Sequence, residues 1–161
     1  TEYVRDGINS LIQQEIKMFK FVLALLLLPT MAMAEKKPEG VVYDLKIMRV
    51  IDGDTVEFEA PFLVDPLPKK LSIRVWGVDT PEKSFRAKCE KEAAMGAEAT
   101  KFTKDLLANA KTTQISIYEW DKYGGRVLGD VIIDGNSLTK MLIDKGYARE
   151  YYGDAKQSWC E

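Results

Sequence analysis

The sequence predicts a mainly β-protein with helices, an α+β domain whose short strands close into a small barrel. Three observations favour this fold class. Apolar residues alternate with polar ones over short runs such as 71–75, which is the period of a half-buried strand. Asp-Gly turns at 52–53 and 134–135 follow two of these runs. A long amphipathic segment at 94–110 interrupts the strands once, so the order is β-β-β-α-β-β-α.

The elements follow one another in that order. Strands are predicted at residues 43–51, 55–59, 71–78, 114–120 and 126–133. The long helix lies between the third and fourth strands. A short helix, capped by Asn136 or Ser137, ends at Gly146. Five short strands connected in this way fit an OB-fold, a five-stranded Greek-key barrel with one long and one short helix.

Three stretches have no regular pattern. Residues 60–70 hold three prolines and form a long connection, and residues 83–93 are charged and irregular. The tail from Arg149 onward has no clear period. We therefore predict no helix or strand in these three stretches.

The amino-acid composition limits the kinds of catalysis and metal binding that the protein could carry out. The chain has 161 residues and a net charge of −2, which indicates one domain without the overall basic field of many nucleic-acid binders. It contains no histidine. That excludes Ser-His-Asp and Cys-His catalysis and nearly every zinc site. Hydrolytic chemistry would have to depend on carboxylates, cationic side chains and a hard metal ion.

Residues 18–34 are typical of a secretory signal peptide. Lys20 provides a short positive region, residues 21–28 are an unbroken apolar run, and Ala32-Met33-Ala34 is a small-residue cleavage site. The run is short for a bilayer span. A buried core helix and an uncleaved membrane anchor are the alternatives.

Cleavage after Ala34 divides the chain into two parts. Residues 1–34 are an upstream extension plus the signal peptide, and residues 35–161 are the folded domain. Residues 1–17 are interpreted as translation upstream of the true start. Export also gives meaning to Cys89 and Cys160, since an even number of cysteines in an exported protein is more often a disulfide than two free thiols. Two unpaired thiols remain the alternative.

Two predicted turns carry acidic residues. Asp52-Gly53-Asp54 contains one carboxylate more than a turn requires, and Asp79-Thr80-Pro81-Glu82 ends the third strand. Carboxylates that come together repel each other unless a cation lies between them, and ligand sets made only of oxygen suit Ca²⁺ or Mg²⁺. The plain alternative is two ordinary turns.

Two arginines stand on predicted strands, and one of them, Arg74, lies between the two acidic turns in the sequence. Arg74 alternates with the apolar residues of the third strand, and Arg126 opens the fifth. Each could simply face solvent. Beside a hard metal, however, two arginines would clamp a phosphate and stabilise the transition state of its transfer. Without histidine, a glutamate is the natural base for activating water.

The motifs IDGDTV, IRVWGVDTPE, GAEATKFTKDLL, DKYGGRVLGDV and LIDKGYARE, in this order, resemble the staphylococcal nuclease (thermonuclease) family. The resemblance runs from Tyr43 to Tyr152. It implies an OB-fold and a Ca²⁺-dependent phosphodiesterase, using one ion, that acts on DNA and RNA.

The resemblance also implies roles for individual residues. Asp54 and Asp79 match the metal carboxylates, and Thr80 matches the residue that offers a backbone carbonyl. Glu82 matches the proposed general base. The matches to the remaining functional positions are Arg74 and Arg126 for the phosphate arginines, Lys122 and Tyr123 for contacts to a terminal phosphate, and Tyr152 for a tyrosine beside the base pocket.

The sequence departs from the family's type member in several places. Gly124-Gly125 replaces a single glycine before Arg126, and the 60–70 connection is longer. The type member's long final helix has no counterpart here. A Cys89–Cys160 disulfide could replace its packing by tying the tail to the loop after Glu82.

The sequence therefore predicts an exported, monomeric, calcium-dependent nuclease of DNA and/or RNA. It would have no stable protein partner and no membrane association after signal cleavage. The main alternative is a non-catalytic OB-fold module that binds nucleic acid or protein. A barrel in which Ca²⁺ is purely structural is a third hypothesis, but it leaves both arginines unexplained.

Overall fold

The computed structural model describes residues 38–161, which belong to one compact unit spanning Lys37–Glu161. The predicted signal peptide and residues 1–17 lie outside the described residues. Among the helices of residues 38–161, none is long and apolar enough to cross a membrane.

The described chain alternates strands and helices much as predicted. Its strands are β1 (Val41–Tyr43), β2 (Ile47–Asp52), β3 (Thr55–Glu59), β4 (Lys70–Val75), β5 (Val78–Asp79), β6 (Thr113–Trp120), β7 (Arg126–Ile133), β8 (Asn136–Ser137) and β9 (Arg149–Glu150). Its α-helices are α1 (Glu90–Asn109) and α2 (Leu138–Asp144), and a single 3-10 turn spans Ser84–Arg86.

Strand pairing follows the order β1-β6-β7-β4-β3-β2, with β8 added to β7 and a separate β5-β9 pair. Strands β4 and β7 are parallel, and the other pairs are antiparallel. The two ends of the main sheet, β1 and β2, are consecutive parts of one segment. That segment closes the sheet on itself, so the α+β, OB-type barrel with one long and one short helix is confirmed.

The first predicted strand, 43–51, is wrong as a single element. Its first part pairs with β6 and its second with β3, so the chain must bend at residues 44–46. Asp44 is fixed at the bend because its carboxylate accepts a hydrogen bond from Gln114 Nε2 at 2.9 Å. The strand count is therefore larger than five, although the barrel layout is the expected one.

The third predicted strand, 71–78, is also interrupted. Gly77 adopts φ +80°, a left-handed conformation that ends β4 and redirects the chain into β5. Strand β5 then pairs with β9 in the tail, where the sequence predicted no regular structure. The consequence is that the residues after Gly77 turn away from the main sheet.

Helix α1 begins earlier than predicted, at Glu90 rather than 94. Cys89 is its N-cap, and the Cys89 sulfur accepts a hydrogen bond from the Glu92 amide at 3.4 Å. The sequence gives no signal for a cysteine cap at this position, because Ser, Thr, Asp and Asn are the usual capping residues. The short helix α2 is capped by Ser137, one of the two predicted residues.

The core fills the barrel and the space under α2. Its fully buried side chains alternate along the strands, as the sequence predicts for a closed sheet. They include Val56, Phe58, Ile73, Val75, Ile115, Val131, Leu138 and Leu142.

Candidate active site

The β2–β3 turn is packed against α1. The Thr103 hydroxyl donates to the Gly53 carbonyl at 2.7 Å, and a Cβ at position 53 would come within 2.9 Å of the Ala99 Cβ. Glycine is thus required here by the close approach of the helix. The packing fixes the neighbouring Asp54, which is 2% exposed.

Asp54 lies at the centre of a polar cluster. Arg74 Nη1 donates to its Oδ1 at 3.2 Å, and the Thr55 hydroxyl donates to the same oxygen at 3.0 Å. The backbone amide of Thr80 donates to Oδ2 at 3.4 Å. Arg74 Nη2 lies 3.9 Å from Asp79 Oδ1, so one guanidinium bridges the two predicted metal carboxylates.

The two carboxylates of the β2–β3 turn are crowded. Burial raises the pKa of Asp54 to about 6; the Arg74 guanidinium opposes this shift, and the neighbouring Asp52 carboxylate adds to it. Asp52 Oδ1 is buried without a hydrogen-bond partner, while its Oδ2 accepts from Arg86 at 3.1 Å. Burial is therefore the main reason why the pKa of Asp54 is raised, and the second carboxylate adds to it.

Glu82 lies beyond this cluster, in the loop that follows β5. A Cβ at Gly96 of α1 would come within 2.5 Å of the Glu82 carbonyl oxygen, so the helix and the loop are in close contact. The Glu82 amide donates to Glu92 Oε1 at 3.4 Å, and Glu92 Oε2 accepts from the Lys88 amide at 2.7 Å. The Glu82 carboxylate is 33% exposed and lies 3.5 Å from Arg86 Nε.

A cleft of about 350 Å³ joins the acidic residues to the tail. Asp79, Thr80 and Glu82 line one part of it. Residues of the tail line another, and these are Lys156, Gln157, Ser158 and Trp159. The predicted base and one predicted metal carboxylate therefore face the same cleft.

Arg126 reaches the site through strand register. It pairs with Ser72 across β4 and β7, and Arg74 lies two residues along β4, so both arginines project from the same face. Arg126 Nε is 2.5 Å from Asp121 Oδ2. Burial alone would raise the pKa of Asp121, but a hydrogen bond from the Tyr123 amide and the Arg126 guanidinium lower it overall.

The three remaining predicted substrate residues are placed differently. Lys122 and Tyr123 lie in the β6–β7 turn; Tyr123 is 79% exposed, and the Lys122 ammonium lies 5.1 Å from its ring centre. Tyr152 packs on Trp76 with ring centres 5.0 Å apart, beside Gly77 at the end of β4. The turn and Tyr152 are thus open to a ligand, while the carboxylate cluster is buried.

Cys89 and Cys160 form the predicted disulfide, with Cα atoms 6.0 Å apart. The bond joins the start of α1 to the end of the tail. It therefore ties the tail to the loop after Glu82, as expected from the sequence.

Several residues of the site were missed by sequence reasoning. Glu92 holds the Glu82 loop, Asp121 holds Arg126, and two tail residues contact Asp79 directly: Lys156 and Trp159. Only Asp121 lies in a quoted motif, DKYGGRVLGDV, where it carried no predicted role. A tryptophan next to a disulfide cysteine was the one usable signal, because exposed tails rarely carry so large an apolar side chain.

The donor set fits a hard cation. Its protein atoms are carboxylate oxygens of Asp54 and Asp79, and oxygen ligands are those that Ca²⁺ and Mg²⁺ prefer. Asp52 Oδ1 is buried without a hydrogen-bond partner, so this oxygen can still accept a contact from a cation. Within residues 38–161, no group of three His, Cys, Asp or Glu side chains converges as a complete metal site.

Comparison with known proteins gives a consistent family. The family model described as "Staphylococcal nuclease homologue" matches residues 72–159, more than half of the chain. Endonuclease YhcR of Bacillus subtilis (strain 168) is 32% identical over 130 residues, covering 77% of this chain and 10% of that protein. Thermonuclease of Staphylococcus hyicus is 36% identical over 105 residues, covering 65% of this chain and 57% of that protein.

A third relative, Endonuclease YncB of Bacillus subtilis (strain 168), is 36% identical over 107 residues, covering 65% of this chain and 46% of that protein. The chain therefore spans less than two thirds of the length of each of these relatives. All three matches are with proteins whose names denote nucleases.

Proposed function

The chain belongs to the staphylococcal nuclease family, and on that premise we propose that it is a calcium-dependent phosphodiesterase that hydrolyses DNA and/or RNA. The observation that carries this proposal is the Arg74 guanidinium, which contacts both Asp54 and Asp79. Asp79 lines the same cleft as Glu82. A guanidinium that contacts a cleft-lining carboxylate is available to bind a phosphate that enters the cleft. The nuclease names of the relatives support the same reaction class.

Each residue has a chemical role in this proposal. Glu82 is partly exposed in the cleft and accepts the proton of the attacking water. Arg74 and Arg126 stabilise the charge that develops on the phosphate oxygens. Lys122 and Tyr123 bind a terminal phosphate from the exposed turn, and Tyr152 lies beside the base.

Asp54, Asp79 and the Thr80 carbonyl would hold one Ca²⁺, which supplies charge neutralisation for the phosphate when it is bound. Since these residues provide few ligand atoms, water and phosphate oxygens would fill the rest of the coordination sphere. Arg74, which contacts both of these carboxylates, would add its charge to that of the cation when a phosphate binds.

A non-catalytic module is the second candidate. It would need a cleft that binds nucleic acid without activating water. Glu82 weighs against it, because Gly96 and Glu92 hold the loop that carries this carboxylate at the cleft. Such support for an otherwise solvated glutamate fits a catalytic group better than a binding surface.

The test is digestion of plasmid DNA and of RNA by the full chain with Ca²⁺, with Mg²⁺ or with excess chelator. We expect cleavage with Ca²⁺ and none in chelator. Glu82→Gln should lower turnover by about 10²–10⁴-fold. Glu98→Gln, an exposed glutamate on α1, is the matched control and should be as active as wild type. Undiminished cleavage in chelator would overturn the metal assignment, and full activity of Glu82→Gln would overturn the base.

The proposal extends to location and assembly. The apolar run 21–28 and the small residues 32–34 support export, and a disulfide is the bond expected of an exported domain. The mature protein would then begin at Glu35 and act as a monomer. N-terminal sequencing of exported material checks the cleavage site, and sedimentation checks the monomer.

A further inference from the structure

The last residues of the chain, 156–161, form an ordered segment without helix or strand, here called the C-terminal strap. Its Trp159 is only 6% exposed, although a segment without regular structure normally lies largely in solvent. A buried tryptophan also needs a partner for its indole N–H. In this structure the partner is the carboxylate of Asp79.

The strap places one hydrogen-bond donor and one cation against a single carboxylate. Trp159 Nε1 donates to Asp79 Oδ2 at 3.1 Å, and Lys156 Nζ lies 2.6 Å from Asp79 Oδ1. Asp79 is 5% exposed, so both contacts act in a largely desolvated place. The two carboxylate oxygens of Asp79, a predicted metal ligand, are therefore contacted by two different residues of the strap.

Three contacts fasten the strap. The Arg149 guanidinium stacks over the Trp159 ring at 3.9 Å, and Arg149 Nη1 donates to the Ser158 carbonyl at 2.9 Å. Cys160 is bonded to Cys89, the residue that caps α1. Arg149 is itself the β9 partner of Asp79, so the clamp and the carboxylate are on paired strands.

We propose that the C-terminal strap is a positioning element for Asp79, in which Trp159 orients the carboxylate and Lys156 competes with the cation for it. This inference rests on the proposed function, because it takes Asp79 to be a cation ligand. A neutral N–H on Oδ2 fixes the carboxylate while leaving its charge available. Hydrogen-bond partners of ligating groups typically contribute 10–100-fold to metal affinity.

Lys156 has the opposite effect. Its ammonium neutralises Asp79 while the cation is absent, and it must give way when a divalent ion approaches the same oxygen, since like charges repel. The strap thus contains one residue that favours cation binding and one that opposes it. A merely structural tail would weaken binding whichever of the two was changed.

The test is calorimetric titration of the full chain with Ca²⁺ alone, without nucleic acid. Trp159→Phe removes the N–H and should weaken Ca²⁺ binding by about 10–100-fold. Lys156→Met should tighten it several-fold. The matched controls are Trp120→Phe, at the exposed end of β6, and Lys140→Met, on the surface of α2; both should bind Ca²⁺ as wild type does.

The disulfide gives a third arm. The double variant Cys89→Ser, Cys160→Ser frees the strap but leaves a good N-cap on α1, because serine is a favoured capping residue. We expect weaker Ca²⁺ binding, in the same direction as Trp159→Phe. Thermal unfolding in chelator shows that each variant folds.

The outcomes separate this inference from the proposed function. If the wild-type chain binds no Ca²⁺, the metal assignment is wrong and the inference falls with it. If the wild type binds Ca²⁺ and Trp159→Phe binds it equally well, only the role of the strap is overturned. Weaker binding by Lys156→Met would overturn the competition. Because Lys156 is 43% exposed, its variant tests the inference even if Trp159→Phe does not fold.

Discussion

Two regions of the proposed site are built in different ways. Asp54, Arg74 and Asp79 form a buried cluster in which each charged group contacts another. The β6–β7 turn at 122–125 is exposed, and its contribution depends on one ion pair between Asp121 and Arg126. The first region is fixed by the core, whereas the second is fixed by local turn geometry, so substitutions in the two should separate effects on stability from effects on turnover.

The largest expected difference is between the two arginines. Losing one transition-state donor often costs about 10²–10³-fold in rate, so Arg74→Ala and Arg126→Ala should both lower turnover sharply. Arg74→Ala should also destabilise the fold, because it leaves Asp54 and Asp79 without their shared cation. Arg126→Ala removes the cation of only one carboxylate, that of Asp121. This carboxylate keeps the hydrogen bond from the Tyr123 amide, so the loss of stability should be smaller.

Steady-state kinetics and thermal unfolding check this contrast. Lys140→Ala is the control, since Lys140 is 73% exposed and pairs with Asp144 within α2. If Arg74→Ala and Arg126→Ala lose equal stability, the buried cluster and the exposed β6–β7 turn do not differ in how much they contribute to the stability of the fold. If Arg126→Ala retains full turnover, Lys122 becomes the next candidate for the second cation.

The next effect concerns the charge of Asp54. A carboxyl whose pKa is raised in the folded state, here from 3.8 to about 6, binds its proton more tightly when folded than when unfolded. The metal-free protein therefore loses stability as pH rises from about 4 to about 6, and the loss persists above that. Asp54→Asn should remove the penalty while abolishing cation binding.

We expect Asp54→Asn to be more stable than wild type at pH 7 in chelator, by on the order of 1–3 kcal/mol. The difference should disappear below about pH 4, where the wild-type carboxyl is protonated in both states. Thermal unfolding from pH 4 to pH 8 measures it. A variant less stable than wild type at pH 7 would mean that the contacts of Asp54 with Arg74 and Thr80 outweigh the cost of burying its charge.

Much of the fold was predictable because its signals are local. Alternation and turn residues located β3, β6 and β7 to within a residue or two. The breaks at 44–46 and at Gly77 were not predictable, since they arise where one continuous apolar run changes pairing partner. Partner choice depends on residues far away in the sequence.

The candidate site likewise contains residues that the sequence could indicate and residues that it could not. Asp54, Arg74 and Asp79 lie on motifs whose order could be recognised, although spacing alone did not show that one guanidinium joins the carboxylates. The tail was missed because Trp159 and its partner Asp79 are 80 residues apart and no periodicity links them. Contacts of that kind depend on the closed barrel and the disulfide together.

A smaller effect is expected at Asp121. The pKa of this carboxyl is lowered in the folded state, so it stabilises the protein above about pH 4 and that contribution is lost as pH falls through its folded value. Asp121→Asn should flatten the acid side of the stability profile. It should also lower turnover about 10-fold, less than Arg126→Ala, because the amide oxygen can still accept from Arg126.

Acid unfolding curves and turnover at neutral pH measure both effects. Asp105→Asn is the matched control, since Asp105 is an exposed carboxylate paired with Lys101 on α1. An unchanged acid limb in Asp121→Asn would show that the ion pair with Arg126 adds nothing to stability.

The smallest effect is expected from deleting Gly125. Gly124 and Gly125 both adopt left-handed conformations, with φ +75° and +74°, and a Cβ on either would meet nothing within 4 Å. The Asp121 amide donates to the Arg126 carbonyl at 3.1 Å, which closes the turn around residues 122–125. A hairpin loop one residue shorter, with a single left-handed glycine, is also a common connection. We therefore expect the deletion variant to fold, to keep the Asp121–Arg126 pair and to retain most of its turnover.

Gly125→Val should be the more harmful change, because a β-branched residue at this φ is strained by roughly 1–2 kcal/mol. If the deletion abolishes turnover in a folded protein while Gly125→Val does not, the length of the turn, and not its backbone conformation, aims Arg126 at the phosphate.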